Sequence, residues 1–494
     1  MSINDDVYML KDRKICFLCV GEAFLSDEIR NIGTVGTCSY CGEREKSYDL
    51  ERLAERIETA FDQHYFRTSD QPTSFEYAML ADKESNYDWE REGDPVVDAI
   101  MNAADLPESA ASDIQRILED KFFDFDAAAI GEELEFSSDS FYKERDANDA
   151  RWQDEWRAFE QSLITEARFF SRAASHLLAS VFENIDMMRT RHGQSMIVDV
   201  GHGSGFLSVF RARSFQSEDN LKIALARPDV HLGPPPSTHA RAGRMNAHGI
   251  SVFYGASDPN VALAEVRPPV GSRVVVARFE IIRPIRLLDL TALNAATVYG
   301  SIFDPTFIDL LERTIFLRNL SSRITMPVMP DDETFKYLAT QAIADFLATE
   351  NNPPLDGIIF PSVQIAGKSL NFVLFHKSAR VEEIELPGGT EISSSLGNMT
   401  EDGWEDDYTV IEEIPLKRDK AVMKQSPWIK LPTGDVYNWS PQNLDTRPLT
   451  LKVDLESVRV HQVDAVQFET TDYVVRRHRW ERRKSDPSEK LEIS

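Results

Sequence analysis

The spacing of apolar residues changes once along the chain, and that change limits the fold more than any other feature. Between Leu50 and Ile185 apolar side chains recur every three or four positions, the period of a helix with one buried face. Leu50, Leu53, Ala54, Ile57 and Phe61 form one such stripe. Trp152, Trp156, Phe159, Leu163, Phe170, Ala174, Leu177 and Val181 form another, which reads as a single long helix over 149–185. Asp94 followed by Pro95 reads as a helix start, Ile114, Ile117 and Leu118 mark a further helix, and the polar stretch 131–147 reads as a loop. From Phe206 onward the apolar runs are short and divided by turns. They predict strands at 207–210, 251–254, 273–282, 287–290, 358–360, 370–375 and 449–453. Helices are expected at 260–265, 305–318 and 332–349. Between the two textures, Gly201, Gly203 and Gly205 have neither a Walker lysine nor the GxGxxG spacing, so 189–205 reads as a linker. With no regular alternation of strand and helix, the class is α+β.

The four cysteines stand as two Cys-x-x-Cys pairs, Cys16/Cys19 and Cys38/Cys41, eighteen residues apart. Each pair closes a tight turn whose amides can donate to sulfur, with Gly21 and Gly42 just beyond. Four thiolates in this arrangement suit tetrahedral Zn2+ and leave no open coordination position, so the expected metal is structural. Disulfides are the competing reading, disfavoured in a reducing compartment. The domains then read as a zinc-binding knuckle at 1–45, a helical domain at 46–190, and a mixed domain at 206–475 with an insertion at about 381–448. A basic tail follows at 476–494.

Charge narrows the partners. The formal net charge is −28, from 54 basic and 82 acidic residues. Such a surface repels phosphate backbones, so broad binding to nucleic acid or anionic membrane is not expected. No apolar run reaches the length of a bilayer span, and the acidic start lacks the pattern of a signal peptide, which points to a cytoplasmic protein. Self-association is compatible with this composition. The charge is unevenly spread: residues 46–160 hold 31 acidic and 12 basic side chains, whereas residues 205–300 hold 7 acidic and 11 basic.

That basic island contains the chemically suggestive residues. Arg211 and Arg213 are expected at the end of a strand, one turned into a cleft and the other toward solvent. Paired arginines suit a pyrophosphate because each guanidinium makes two parallel charge-assisted bonds. Arg244 follows Gly243 in a turn where glycine allows close approach to a ligand. Tyr254 ends a strand and offers a ring to a flat heterocycle. Asp258 and Pro259 cap a helix whose last turn carries Glu265, a carboxylate suited to stabilising an oxocarbenium-like sugar cation. Ser362 ends a later strand and can bond a phosphate or a ribose hydroxyl, and Asn371 lies in the strand that follows. Singly, each residue has an ordinary structural role open to it.

Read in order, FRAR, ARAGRMN, GISVFYGA, ALAEV, LDLT, TQAIADF, DGIIFPS and NFVLF resemble the successive motifs of the RES family, over roughly Phe206 to His376. The N-terminal half resembles the zinc-bearing HEPN-like domain found ahead of some RES domains. The resemblance implies a fold similar to ADP-ribosyltransferases of the diphtheria-toxin type. It also implies a toxin of a toxin–antitoxin pair that destroys NAD+, held in check by a helix-turn-helix antitoxin. The family's motifs match Arg211, Arg244, Tyr254, Glu265 and Ser362; Arg211, Tyr254 and Glu265 are then expected in catalysis, and Arg211, Arg244, Tyr254 and Ser362, joined by Asn371, in binding NAD+.

On that basis Arg211 and Arg244 grip the diphosphate, Tyr254 stacks on nicotinamide, Ser362 orients phosphate or ribose, and Glu265 stabilises the ribosyl cation. Three other readings stand beside it. The chain transfers ADP-ribose to a macromolecule; or it is an RNA-directed HEPN protein relying on Arg172 and His176, whose spacing departs from the HEPN pattern; or it is a binding module recruited through the knuckle.

Overall fold

The computed structural model describes residues 3–479, apart from 83–85, 167, 169, 202–205, 327, 366–368, 402, 416–444 and 468–469. Gly203 and Gly205, residues 402 and 416–444 of the 381–448 insertion, and most of the basic tail therefore lie outside the described residues. The architecture is mixed α+β: a small cysteine-bearing sheet, a helical body, then an eight-stranded sheet flanked by helices.

Near the N-terminus Arg44–Asp49 lies between Lys14–Cys16 and Thr34–Thr37 in an antiparallel sheet. The helix Leu50–His64 follows directly. Its apolar stripe is buried as its spacing predicts, Leu50, Leu53, Ala54, Ile57 and Phe61 together. That face packs into one core with Ile114, Ile117 and Leu118 of Glu108–Lys121. Asp94 and Pro95 pair as a short strand with Phe141–Glu144, so the helix starts one residue later, as Val96–Ala104. The stretch 131–147 is accordingly not all loop. Phe141–Glu144 also pairs with Tyr65–Arg67, and the Tyr142 ring is buried against Phe61 and Phe136.

The second stripe is two helices rather than one, Ala150–Thr165 and Arg172–Val181. Trp152, Trp156, Phe159 and Leu163 are buried, but Phe170 between the helices is 94% exposed. Ser171 begins the second helix, its hydroxyl accepting from the Ala174 N–H at 3.2 Å. Both helices share a core with Phe307–Thr325 and Glu333–Thr349, and the rings of Trp152 and Trp156 lie 5.9 and 5.6 Å from that of Phe316.

The large sheet runs in the order Leu451–Gln462, Arg273–Ile281, Ser208–Phe215, Phe253–Ala256, Leu370–Leu374, Gly357–Pro361, Ile285–Asp289, Ile197–Val200. Among the described strands of this sheet, Ile285–Asp289 and Gly357–Pro361 pair in parallel and the other neighbours pair antiparallel. Alternation sorts side chains to its two faces. From Arg273–Ile281, Val274 and Val276 join one core while Val275, Ala277 and Phe279 join another. Ile197–Val200 is a strand inside the expected linker, supplied with a partner by Ile285–Asp289. Ser208–Phe215 runs past its expected end at 210 because Arg273–Ile281 pairs with it along its whole length. Within the insertion, Glu391–Thr400 and Gly403–Glu413 form an antiparallel hairpin.

The helical body and the large-sheet region are joined through residues 302–307. Phe303 is 2% exposed and belongs to the N-terminal core. Arg56 Nη2 donates to the Phe303 carbonyl at 2.6 Å and to Glu28 Oε2 at 2.9 Å. Phe307, which opens the next helix, stacks on His64. No helix among the described residues is long and apolar enough to cross a membrane.

Candidate functional site

Strand geometry opens the cleft. Pairing between Ser208–Phe215 and Phe253–Ala256 is confined to Phe210 opposite Ala256, so the strands part beyond Phe210. A cavity of about 340 Å³ lies there, walled by Arg211, Arg244, Tyr254, Glu265, Asn371 and Tyr337 among others. Five of the residues singled out in the sequence thus line one cavity, and Ser362 reaches it through Glu265.

Glu265 is the last residue of Pro259–Glu265, a helix started as its sequence predicts: Asp258 Oδ1 accepts from the N–H groups of Asn260 and Val261 at 3.0 and 3.2 Å. The helix carries Glu265, half-buried, to the open end of the sheet. There its Oε1 accepts from Ser362 Oγ at 2.7 Å and from Asn371 Nδ2 at 2.6 Å. Asn371 is 6% exposed and sits opposite Phe360 in the strand ladder, so this clamp is built on the sheet itself. Ser362 therefore holds the carboxylate through its hydroxyl proton.

Arg211 lies in mid-strand, opposite Ala277. Residues two apart on a strand share a face. Arg211 and Arg213 accordingly line one and the same second cavity, which corrects the expected placement on opposite sides. Arg213 donates to the His231 carbonyl at 2.7 Å. Arg211 stands 4.7 Å over the Phe253 ring, and its Nη1 is buried with no hydrogen-bond partner. Burial, and then the nearby Arg213, lower its pKa to about 10, so it remains a cation at neutral pH. A buried cationic donor left without an acceptor is costly unless an anion completes it.

Arg244 is placed by a turn that two helices grip. Its Nη1 donates to the Ile324 carbonyl, and its guanidinium lies 5.3 Å from the Tyr337 ring. Thr340 Oγ1 donates to the Arg244 carbonyl, and Gln341 Nε2 donates to the Gly243 carbonyl at 2.9 Å. Gly243 is needed for close packing inside the protein rather than for approach to a ligand. A Cβ there would stand 2.7 Å from Asn246 Oδ1 and 2.8 Å from the Tyr254 hydroxyl. That hydroxyl donates to Asn246 Oδ1 at 2.9 Å and accepts from the Met245 N–H at 3.2 Å. Burial pushes the phenol up to about 12, so Tyr254 stays protonated and offers the cleft its ring. Asn246, 5% exposed, escaped the sequence reading; its Nδ2 also bonds the carbonyls of Arg241 and Ile250, both at 2.9 Å. A buried Asn in a Gly-Arg-Met-Asn turn was the available signal.

The four cysteines converge. Their sulfurs all lie within 4.8 Å of one another, with Cys16–Cys41 at 3.5 Å, Cys19–Cys38 at 3.7 Å and Cys16–Cys19 at 3.8 Å. Tetrahedral Zn–S bonds of about 2.3 Å put sulfurs ~3.8 Å apart, so the set fits such an ion. Gly42 has φ +78°, which lets the chain turn back for the Gly42 N–H to meet the Cys38 carbonyl at 3.0 Å. Burial would raise the Cys38 thiol, but backbone N–H groups of Cys41, Tyr40 and Cys16 outweigh it and bring it down to about 7. Arg172 and His176 are both exposed on Arg172–Val181, and neither lines the cleft.

No curated protein and no solved structure matches the chain. One family model does, over the segment that supplies the strand of Arg211, the Arg244 turn, the helix of Glu265 and the strands of Ser362 and Asn371: residues 209–393 carry a RES domain.

Proposed function

We propose that the cleft cleaves the nicotinamide–ribose bond of NAD+, in keeping with a RES domain, a kind linked to NAD-degrading toxins. The observation that carries this reading is the pairing of opposites in one cavity: Glu265 held by Ser362 and Asn371, and Arg211 with a buried, unpartnered Nη1. The C1′–N bond breaks with both electrons passing to the pyridine nitrogen. Nicotinamide leaves neutral, and the positive charge moves onto the ribose. Glu265, kept in place by two donors, stabilises that cation, and no general acid is required. Arg211 and Arg244 hold the diphosphate, and the Tyr254 ring flanks the nicotinamide. The bond broken at C1′ is replaced by one to an acceptor, water or inorganic phosphate, which gives up its proton.

The system is read as a toxin checked by a helix-turn-helix antitoxin. The cysteine cluster, a set of four that suits a metal, is read as holding Zn2+ and so fixing the knuckle. Incubating the purified chain with NAD+ and assaying free nicotinamide tests the activity. Release by the wild type, and its loss in Arg211→Ala, supports the reading; no release, or equal release by both, ends it. Ribose products labelled from heavy-oxygen water or from phosphate identify the acceptor, and label retained on protein would favour ADP-ribosyl transfer.

A further inference from the structure

The cavity that holds Glu265 is not the whole cleft. A second cavity, of about 740 Å³, shares Arg211, Ala212 and Tyr254 with the first as common wall. Small-molecule pockets run from about 300 to 1,000 Å³, so the first, at about 340 Å³, sits at the low end by itself. The charge of the second is one-sided. Arg211, Arg213, Arg241, His239 and His248 line it, and no carboxylate does, in a chain whose net charge is −28. An acid-free basic lobe on so acidic a protein concentrates anions against the surrounding field.

The guanidiniums are differently committed. Arg213 is spent partly on the His231 carbonyl, and Arg211 carries the buried, unpartnered Nη1 at the junction of the cavities. Arg241 is exposed at the lobe's edge; its own carbonyl is anchored by Asn246, so the side chain projects from a fixed backbone.

Resting on the activity proposed above, we infer that this second lobe binds the adenylate half of NAD+, with Arg241 and His248 on its phosphate-bearing edge, and that it makes the site selective for a dinucleotide over a nicotinamide mononucleotide. Arg211, on the shared wall, sees the diphosphate from between the two halves. The lobe contributes binding remote from the reacting carbon, which shows first in KM.

The test uses the full chain. Nicotinamide release is measured with NAD+ and with nicotinamide mononucleotide for the wild type, Arg241→Ala and Arg241→Glu. ADP binding is titrated calorimetrically in parallel. Losing a charge-assisted contact to phosphate should raise KM for NAD+ by about tenfold in Arg241→Ala, and further in Arg241→Glu, with kcat little changed. The preference for NAD+ over the mononucleotide should fall by the same factor, and ADP should bind about tenfold more weakly. The inference is overturned if KM rises equally for both substrates, or if both variants keep the wild-type preference. Should the wild type release no nicotinamide from either substrate, the activity reading fails by itself and the titration decides the lobe. ADP binding that is weakened by Arg241→Glu upholds it, and absence of ADP binding refutes it.

Discussion

The cysteine knuckle and the RES cleft both gather reactive polar groups, and they leave them in opposite conditions. In the knuckle the four sulfurs lie within 4.8 Å of one another, and the Cys16 N–H is turned toward the Cys38 sulfur. In the cleft Glu265 is held by two donors, but Arg211 Nη1 is enclosed without an acceptor. A closed set suits a resident ion and contributes to folding; an incomplete set waits for something that comes and goes. The knuckle should therefore read out in stability and the cleft in turnover. Phe303, the plug between the helical body and the helix that ends beside Arg244, should touch both.

The largest effect is expected at the knuckle. Cys38→Ser, or prolonged chelation, should remove metal-binding free energy on the order of 10 kcal/mol and unfold the N-terminal sheet. Metal content and thermal melting check this, and a variant that melts like the wild type would show the cluster to be idle. Next comes Phe303→Ala, which empties a buried aromatic site and should cost about 4 kcal/mol. Denaturant melts measure that cost, and splitting of one transition into two would mark loss of coupling between the regions.

Glu265→Gln keeps the shape and removes the charge. Nicotinamide release should fall by about 10²–10³, while the melting temperature moves by no more than ~2 °C. A large drop in melting temperature would place Glu265 with the structural group and erase the contrast.

The smallest effect is at Asp229, 3% exposed, which accepts from Arg227 at 2.9 and 2.6 Å and from the Ile384 N–H at 2.9 Å. Burial would raise this carboxyl, but Arg227 and the N–H donors outweigh it and hold it below the ordinary range. Its folded pKa is the lower one, so its stabilisation is present above the unfolded value of about 3.9 and is lost as pH falls through the folded value. Asp229→Asn should cost about 2 kcal/mol at pH 7, with the gap from wild type closing below about pH 4. A gap that persists in acid would mean packing rather than charge.

Much of the site was legible in sequence because its pieces are local. The Asp258–Pro259 cap, the helix ending on Glu265 and the strands carrying Tyr254 and Asn371 all follow from short-range signals. The errors also have local causes. Apolar period alone could not reveal the break between Thr165 and Arg172, since Phe170 keeps the spacing while pointing to solvent. Ser208–Phe215 outran its apolar residues because its length is set by Arg273–Ile281, a partner distant in the chain. The bond from Ser362 to Glu265 was not legible, because the distance between them exists only in the fold.

By itself the sequence determined the α+β class, the cysteine spacing, the basic stretch and the order of the chemically suggestive residues, because periodicity, capping and composition act over a few neighbouring positions. Tertiary structure alone decided that Arg211 would be buried without a partner, that Ser362 and Asn371 would clamp Glu265, and that a second basic cavity would share its wall with the first. Those facts depend on strand register and on which strands part from one another, which are settled by contacts between residues far apart in the chain.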